Sequence, residues 1–238
     1  MSEFYKSTKT WSLITIAGLA FVSLFQGFSI LVGLGQLLNP NAVLDLDEDG
    51  VVSVWLMLQS VVALLQFPLY ILTIVAFLVW LNRSHKNLLA LRPSHLNFSS
   101  GWAVGWWFIP FLALYKPFQV VREVWWESDP DIPEEQMFLT ESLHSAPTYM
   151  GVWWTFWLIS NFANNIAGRI FDPDRTDNVF AVGIVFIVSS VLTIIAGVLA
   201  IQVVRDVTAR QAARHANVRT IESVAADSQP YSGHESTS

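Results

Sequence analysis

The chain has 238 residues, 13 Lys and Arg against 19 Asp and Glu for a formal charge of -6, and 53% hydrophobic side chains at a mean hydropathy of +0.45. So few charges cannot cover a soluble globule of this size, which implies a lipid-facing surface, and an acidic balance without clustered Lys and Arg excludes nucleic acid as a partner. With no Cys, disulfides, thiolate metal sites, iron–sulfur ligation and palmitoylation are excluded as well.

A bilayer core about 30 Å thick needs about 20 mostly apolar residues per spanning helix, and four stretches qualify. Behind a short segment, residues 1–10, with Lys6 and Lys9, the first runs from Trp11 to about Leu38, its main polar residues being Gln26 and Gln36. Its apolar run exceeds the roughly 7–15 residues of a signal peptide and ends in no small-residue cleavage site, so it predicts an uncleaved helix. The second runs from about Val51 to Leu81, carries Pro68 as a predicted kink, and is followed by Arg83, His85, Lys86 and Arg92. A third covers about Thr148 to Gly168, and a fourth about Asn178 to Val204, closed by Arg205. These define a membrane domain over residues 11–211, with a disordered polar tail expected over 212–238. The chain's 11 Trp and 16 Phe suit a membrane interface.

Residues 101–126, GWAVGWWFIPFLALYKPFQVVREVWW, are apolar yet broken by Pro110 and Pro117 and carry Lys116, Arg122 and Glu123. They either span or turn back, and loop charge favours turning back, because short cytoplasmic loops accumulate Lys and Arg. If the segment does not span, Lys6, Lys9, Arg83, Lys86, Arg92, Arg205, Arg210, Arg214 and Arg219 all lie inside and only Arg169 and Arg175 outside. The expected architecture is therefore an all-α, polytopic membrane helix bundle of four spanning helices plus a Pro-broken re-entrant or interfacial segment, with both termini cytoplasmic. The alternative is five spanning helices, with Lys116 snorkelling. In the favoured arrangement Pro40–Gly50 faces outward, and Glu127–Glu141, with Asp129, Asp131, Glu134 and Glu135, is an acidic cytoplasmic loop. The surroundings of the tryptophan pairs Trp106/Trp107 and Trp153/Trp154 are too loosely similar to make an inverted repeat.

GWAVGWWFIP followed by KPFQVVREVW resembles the signature of a bacterial membrane family, domain of unknown function 4328. FLVWLNRSHKNLLAL resembles the family's aromatic-Arg-Asn helix exit, placing Arg83 and Asn87 on its pattern. VWWTFWLISN is similar to its Trp-rich helix ending in Asn161, and VVRDVTARQ to its terminal Arg and Gln, here Arg205 and Gln211. The resemblance covers roughly residues 54–211. It implies a membrane protein and no defined activity.

Among local motifs, DLDEDGVVSVWL matches the first half of a calcium loop. Asp45, Asp47 and Asp49 supply oxygens at positions one, three and five, and Gly50 the turn glycine, but the twelfth residue is Leu56 rather than a bidentate Glu. A solvated acidic loop is the plainer reading, with no other cofactor expected. A second constellation joins Lys116, Arg122 and Glu123 to Arg83, Asn87, Asn161, Asn164 and Asn165. Ionisable groups and broken backbone at membrane depth mark a polar site by default. The plainer alternative sets the segment in the interface, with Lys116 and Arg122 on lipid phosphates and Trp102, Trp106, Trp107, Trp125, Trp126, Trp153 and Trp154 as anchors. Glu123 reads first as a partner of Arg122. Gly101/Gly105 and Ser23/Gly27 are small-xxx-small pairs that permit close helix approach and leave a homo-oligomer open.

The sequence holds no nucleophile elbow, phosphate loop or paired helix histidines. His85 and His95 are expected in a loop, His144 before the third span, and His215 and His234 in the tail. The leading expectation is a non-enzymatic inner-membrane scaffold or accessory subunit, partnered by the bilayer and another membrane protein. A small transporter or lipid-binding protein, with its site among Pro110, Lys116, Arg122 and Asn161, comes second. An intramembrane enzyme using Glu123 or His144 comes last.

Overall fold

The computed structural model describes residues 5–38, 54–91, 96–130, 146–170 and 179–227, and among these the chain is all helical. Helix α1 spans Lys9–Leu38 and α2 Val54–Leu91. The tryptophan-rich segment is four short pieces: α3 (Trp102–Gly105), single 3-10 turns at Trp106–Phe108 and Leu112–Leu114, and α4 (Lys116–Glu127). Helix α5 covers Thr148–Ile170 and α6 Val179–Asp227. The acidic loop with Asp45, Asp47 and Asp49 lies outside the described residues, as do His95, His144 and most of the segment between Asp129 and Ala146.

Three helices, α1, α2 and α6, are long and apolar enough to cross a membrane. Leu24 and Leu64, 69% and 75% exposed, show why a non-aqueous surround is needed: side chains this apolar recur along these helices with no protein over them. Helix α5 has 23 residues, but the Trp and Asn among its apolar positions keep it out of that set.

Two helices outrun their predicted ends. Helix α2 continues from Leu81 to Leu91 because its exit still has a core to join, with Leu88 and Leu91 buried. His85, predicted in a loop, therefore sits on a helix. Helix α6 likewise runs to Asp227, so residues 212–227 are helical where a disordered tail is expected. Ala is the commonest residue in that stretch and favours helix, and Gln211 and Arg214 are buried against the rest of the bundle. Helix α2 also runs through Pro68, whose missing N–H leaves the Leu64 carbonyl without its helical donor.

Helix α6 packs along α1 on one side and α5 on the other, and α2 lies against α1 and touches α6 more sparingly. Small residues set these approaches: a Cβ on Gly18 would lie 2.5 Å from Thr73 Oγ1, and one on Gly197 would lie 2.6 Å from Ser23 Oγ. Ser23 thus meets α6, while a Cβ at Gly27 would meet nothing within 4 Å. The helix sequence α2–α1–α6–α5 leaves α2 and α5 standing apart.

The tightest core lies at one end of the bundle. There Trp80, Leu81 and Leu88 of α2, Val120, Val121 and Val124 of α4, Trp153 and Trp154 of α5, and Val203, Val204 and Val207 of α6 close together. Hydrogen bonds tie the same end: Asn82 Nδ2 donates to the Ser100 carbonyl at 2.6 Å, Trp80 Nε1 to Thr208 Oγ1 at 3.1 Å, and Tyr149 Oη to Asp206. Arg210 pairs with Asp129 at 2.5 Å, and Tyr5 stacks on His215 at 4.0 Å. The start of α1, the late turns of α2, the middle of α6, the start of α5 and both ends of the tryptophan-rich segment all meet there.

Candidate functional site

Between α2 and α5, with α1 and α6 behind, lies a cavity of about 690 Å³. Its walls are mostly apolar, among them Val22, Phe67, Phe77, Trp157 and Ala196, and Trp107 and Phe108 of the broken segment also line it. Helices α2 and α5 stand apart, so no direct packing between them closes the cavity.

Its polar groups are uncharged. Gln26 of α1, Gln66 of α2, and Asn161 and Asn164 of α5 line it, and among the described residues no Asp, Glu, Lys, Arg or His does. Gln26 Oε1 accepts from Ser190 Oγ at 3.1 Å, Asn164 Oδ1 accepts from Ser189 Oγ at 2.8 Å, and Asn161 Nδ2 donates to the Trp157 carbonyl at 2.7 Å. These bonds fix the carboxamides to neighbouring helix turns and leave Gln26 Nε2, Asn164 Nδ2 and Asn161 Oδ1 without protein partners among the described residues. Such groups, in a low-dielectric wall, suit a hydroxyl, carbonyl or ether oxygen rather than an ion.

The predicted polar constellation is dispersed. Asn161 joins the cavity. Glu123, expected beside Arg122, is buried with His85 instead: His85 Nε2 lies 3.2 Å from Glu123 Oε2, and the Asn97 backbone N–H donates to Glu123 Oε1 at 2.6 Å. Successive helix residues point about 100° apart, so α4 buries Glu123 while turning Arg122 outward over the Trp126 ring, 5.5 Å from its centroid. Lys116 sits over three rings, 5.2 Å from Phe98, 5.6 Å from Tyr115 and 5.9 Å from Trp106. Asn87 accepts from the Lys6 backbone N–H at 3.1 Å, and its Nδ2 donates to the Lys6 carbonyl at 2.9 Å and to Gln211 Oε1 at 3.4 Å. Gln211 in turn donates to the Ser84 carbonyl at 2.8 Å. Arg83 is half-buried on α2 and joins none of these groups.

Pro110 separates the two 3-10 turns, whereas Pro117 falls in the first turn of α4, where a missing N–H leaves no helical bond unmade. Trp153 and Trp154 are packed in the core, and Trp154 Nε1 donates to the Leu114 carbonyl at 2.9 Å. Trp107 meets Trp154 and Trp157 edge-on at 5.8 and 5.7 Å. Trp102, half exposed, stacks on Trp106 at 4.5 Å, and Trp125 lies under the Arg210 guanidinium at 3.9 Å. Among the described residues, no three His, Asp or Glu side chains gather as metal ligands. The His85–Glu123 pair lines neither this cavity nor the smaller groove beside Arg122.

The missed features had weak signals. Gln66 is a single polar residue within an apolar run, and His85 lies just past the predicted membrane exit, where a buried pair cannot be told from a solvated histidine.

No curated protein and no solved structure matches the chain. A family model does, over residues 46–209, beginning eight residues before the recognised resemblance and including most of the acidic loop. The match covers more than half of the sequence, and the chain belongs to the family described as Domain of unknown function (DUF4328).

Proposed function

We propose that this is a multi-pass inner-membrane protein that binds an uncharged amphiphile, a lipid or lipid-like small molecule, in the cleft between α2 and α5. The carrying observation is a cavity of about 690 Å³ whose apolar walls carry four carboxamides and, among the described residues, no charge. That size suits a drug-sized ligand or part of a lipid, which would enter from the bilayer between α2 and α5. In this reading four helices cross, α1, α2, α5 and α6. Support for α5 comes from its packing along α6 and from a length of about 34 Å at 1.5 Å per residue. Support for a re-entrant middle segment comes from its two ends sharing one end of the bundle, which we take as cytoplasmic with both termini.

A scaffold or accessory role draws on a different observation. Ile221 and Val224, one turn apart beyond the membrane portion of α6, are exposed apolar residues on one helix face that another protein or a second copy could cover.

The test of the cleft is extraction of the protein purified from mild detergent, followed by mass spectrometry of the bound fraction. A neutral amphiphile should be recovered in stoichiometric amount, and Ala63→Trp, which fills the cleft from an exposed position on α2, should abolish its recovery. Equal recovery from that variant would place the ligand elsewhere and sink the reading.

A further inference from the structure

A second groove, of about 590 Å³, lies between α4 and the start of α5. It occupies the opposite side of α5 from the cleft: Gly151 and Thr155 line the groove while Trp153, Trp157 and Ser160 line the cleft, as a 3.6-residue period requires. Three features stand together. Arg122 is exposed at the groove and has no carboxylate partner among the described residues, Glu123 being held by His85 and Asn97. Among the described residues, no Asp or Glu lines the groove. A Cβ built on Gly151 meets nothing within 4 Å, so the space is open at the helix backbone itself.

The groove is graded along its length. Arg122 and Thr148 stand near the end where the tryptophan-rich segment begins and finishes, while Phe118, Val152 and Phe156 supply apolar wall. Phe156 follows Thr148 by about 12 Å along α5 at 1.5 Å per residue, so the groove runs inward from a cationic rim to an apolar floor. An exposed cation held over an aromatic ring beside such a wall matches an anion attached to a hydrocarbon chain.

The geometry points to this groove as a seat for one anionic phospholipid, with its phosphate on Arg122 and an acyl chain along the Gly151–Thr155 face of α5. The seat is separate from the uncharged cleft and survives or fails independently of it.

Native mass spectrometry of the full chain, titrated with phosphatidylglycerol and with phosphatidylcholine of the same acyl length, tests the assignment. Wild type should retain phosphatidylglycerol preferentially. Arg122→Gln should lower phosphatidylglycerol affinity about fivefold, the weight of one interfacial cation. Gly151→Leu keeps the charge but fills the groove, and should lower it comparably. Arg219→Gln, which removes a distant exposed cation, should leave it unchanged. Full binding by Gly151→Leu, or equal losses in Arg122→Gln and Arg219→Gln, would reduce the effect to general surface charge and overturn the seat. Displacement of the lipid by glycerol phosphate at matched concentration would overturn it too, by making the ligand a free phosphate.

Discussion

His85 on α2 and Glu123 on α4 form a buried pair, 3.2 Å apart with side chains only 1% and 7% exposed, and the second oxygen of Glu123 holds the backbone of Asn97. One carboxylate therefore joins the exit of a long membrane helix, the loop after it and the tryptophan-rich segment. A buried carboxylate is tolerated when its acceptor sites are filled, and removing one member strands the other.

Glu123→Ala should accordingly destabilise the protein by about 3–5 kcal/mol, the usual cost of breaking a buried pair. Glu123→Gln keeps an acceptor for Asn97 and should cost clearly less. Thermal unfolding followed by fluorescence-detected gel filtration ranks the three proteins. An Ala variant melting with wild type would show that the pair holds nothing.

Gly18 of α1 and Thr73 of α2 pack directly against each other. A Cβ at Gly18 would lie 2.5 Å from Thr73 Oγ1 and 3.1 Å from its Cγ2, and a β-branched residue on a helix has little rotamer freedom with which to retreat. Gly18→Ala should therefore cost about 1–3 kcal/mol despite the better helix propensity of alanine, the scale of an overpacked core. Thr73→Ala in the same chain should restore most of it. A double mutant no better than Gly18→Ala would relocate the strain. Gly197→Ala is expected to be milder, because the atom it meets, Ser23 Oγ at 2.6 Å, ends a side chain that can rotate.

What was legible in the sequence follows from which forces act locally. Apolar runs at α1, α2 and α6 declare themselves because a membrane helix satisfies its own backbone and needs only length and composition. Pro110 interrupts the middle segment as a missing amide must. Past the membrane the rule changes: α2 gains Leu88 and Leu91 in a protein core, α6 gains Gln211 and Arg214, and hydropathy has no term for such contacts. The cleft was the least readable feature. Gln26, Asn161 and Asn164 were visible as polar residues in apolar helices, but their shared cavity depends on α2 and α5 standing apart, which no stretch of sequence encodes. The same holds for Glu123, whose neighbour in sequence, Arg122, points outward while its partner lies 38 residues away.

Asn87 holds the chain ahead of α1. Its carboxamide both accepts from and donates to the backbone of Lys6, at 3.1 and 2.9 Å, much as a strand partner would. Asn87→Ala removes both bonds, each worth about 0.5–1.5 kcal/mol. The Lys6 amide should then exchange with deuterium about tenfold faster or more, while amides in the middle of α1 keep their wild-type rates. Unchanged exchange at Lys6 would mean that Tyr5, stacked on His215, anchors the segment without help.

The orientation can be tested with single cysteines, because the chain has none of its own. Lys6 bonds to Asn87, Asn87 to Gln211, and both ends of the tryptophan-rich segment return to the same end of the bundle, so one label at that end reports on all of them. Ala213, exposed on α6, stands there, whereas Asp47 falls between α1 and α2 and, with four crossings, faces the opposite side. The nine basic residues gathered with Ala213 in this arrangement favour the cytoplasm for that end. Ala213→Cys should react with a membrane-impermeant maleimide only after the cells are opened, and Asp47→Cys in intact spheroplasts. Labelling of both from outside would require an odd number of crossings, either five, with the middle segment traversing despite its broken backbone, or three, with only α1, α2 and α6 crossing. Reversal of the two would keep the fold and turn Arg122, with its groove, toward the outer leaflet.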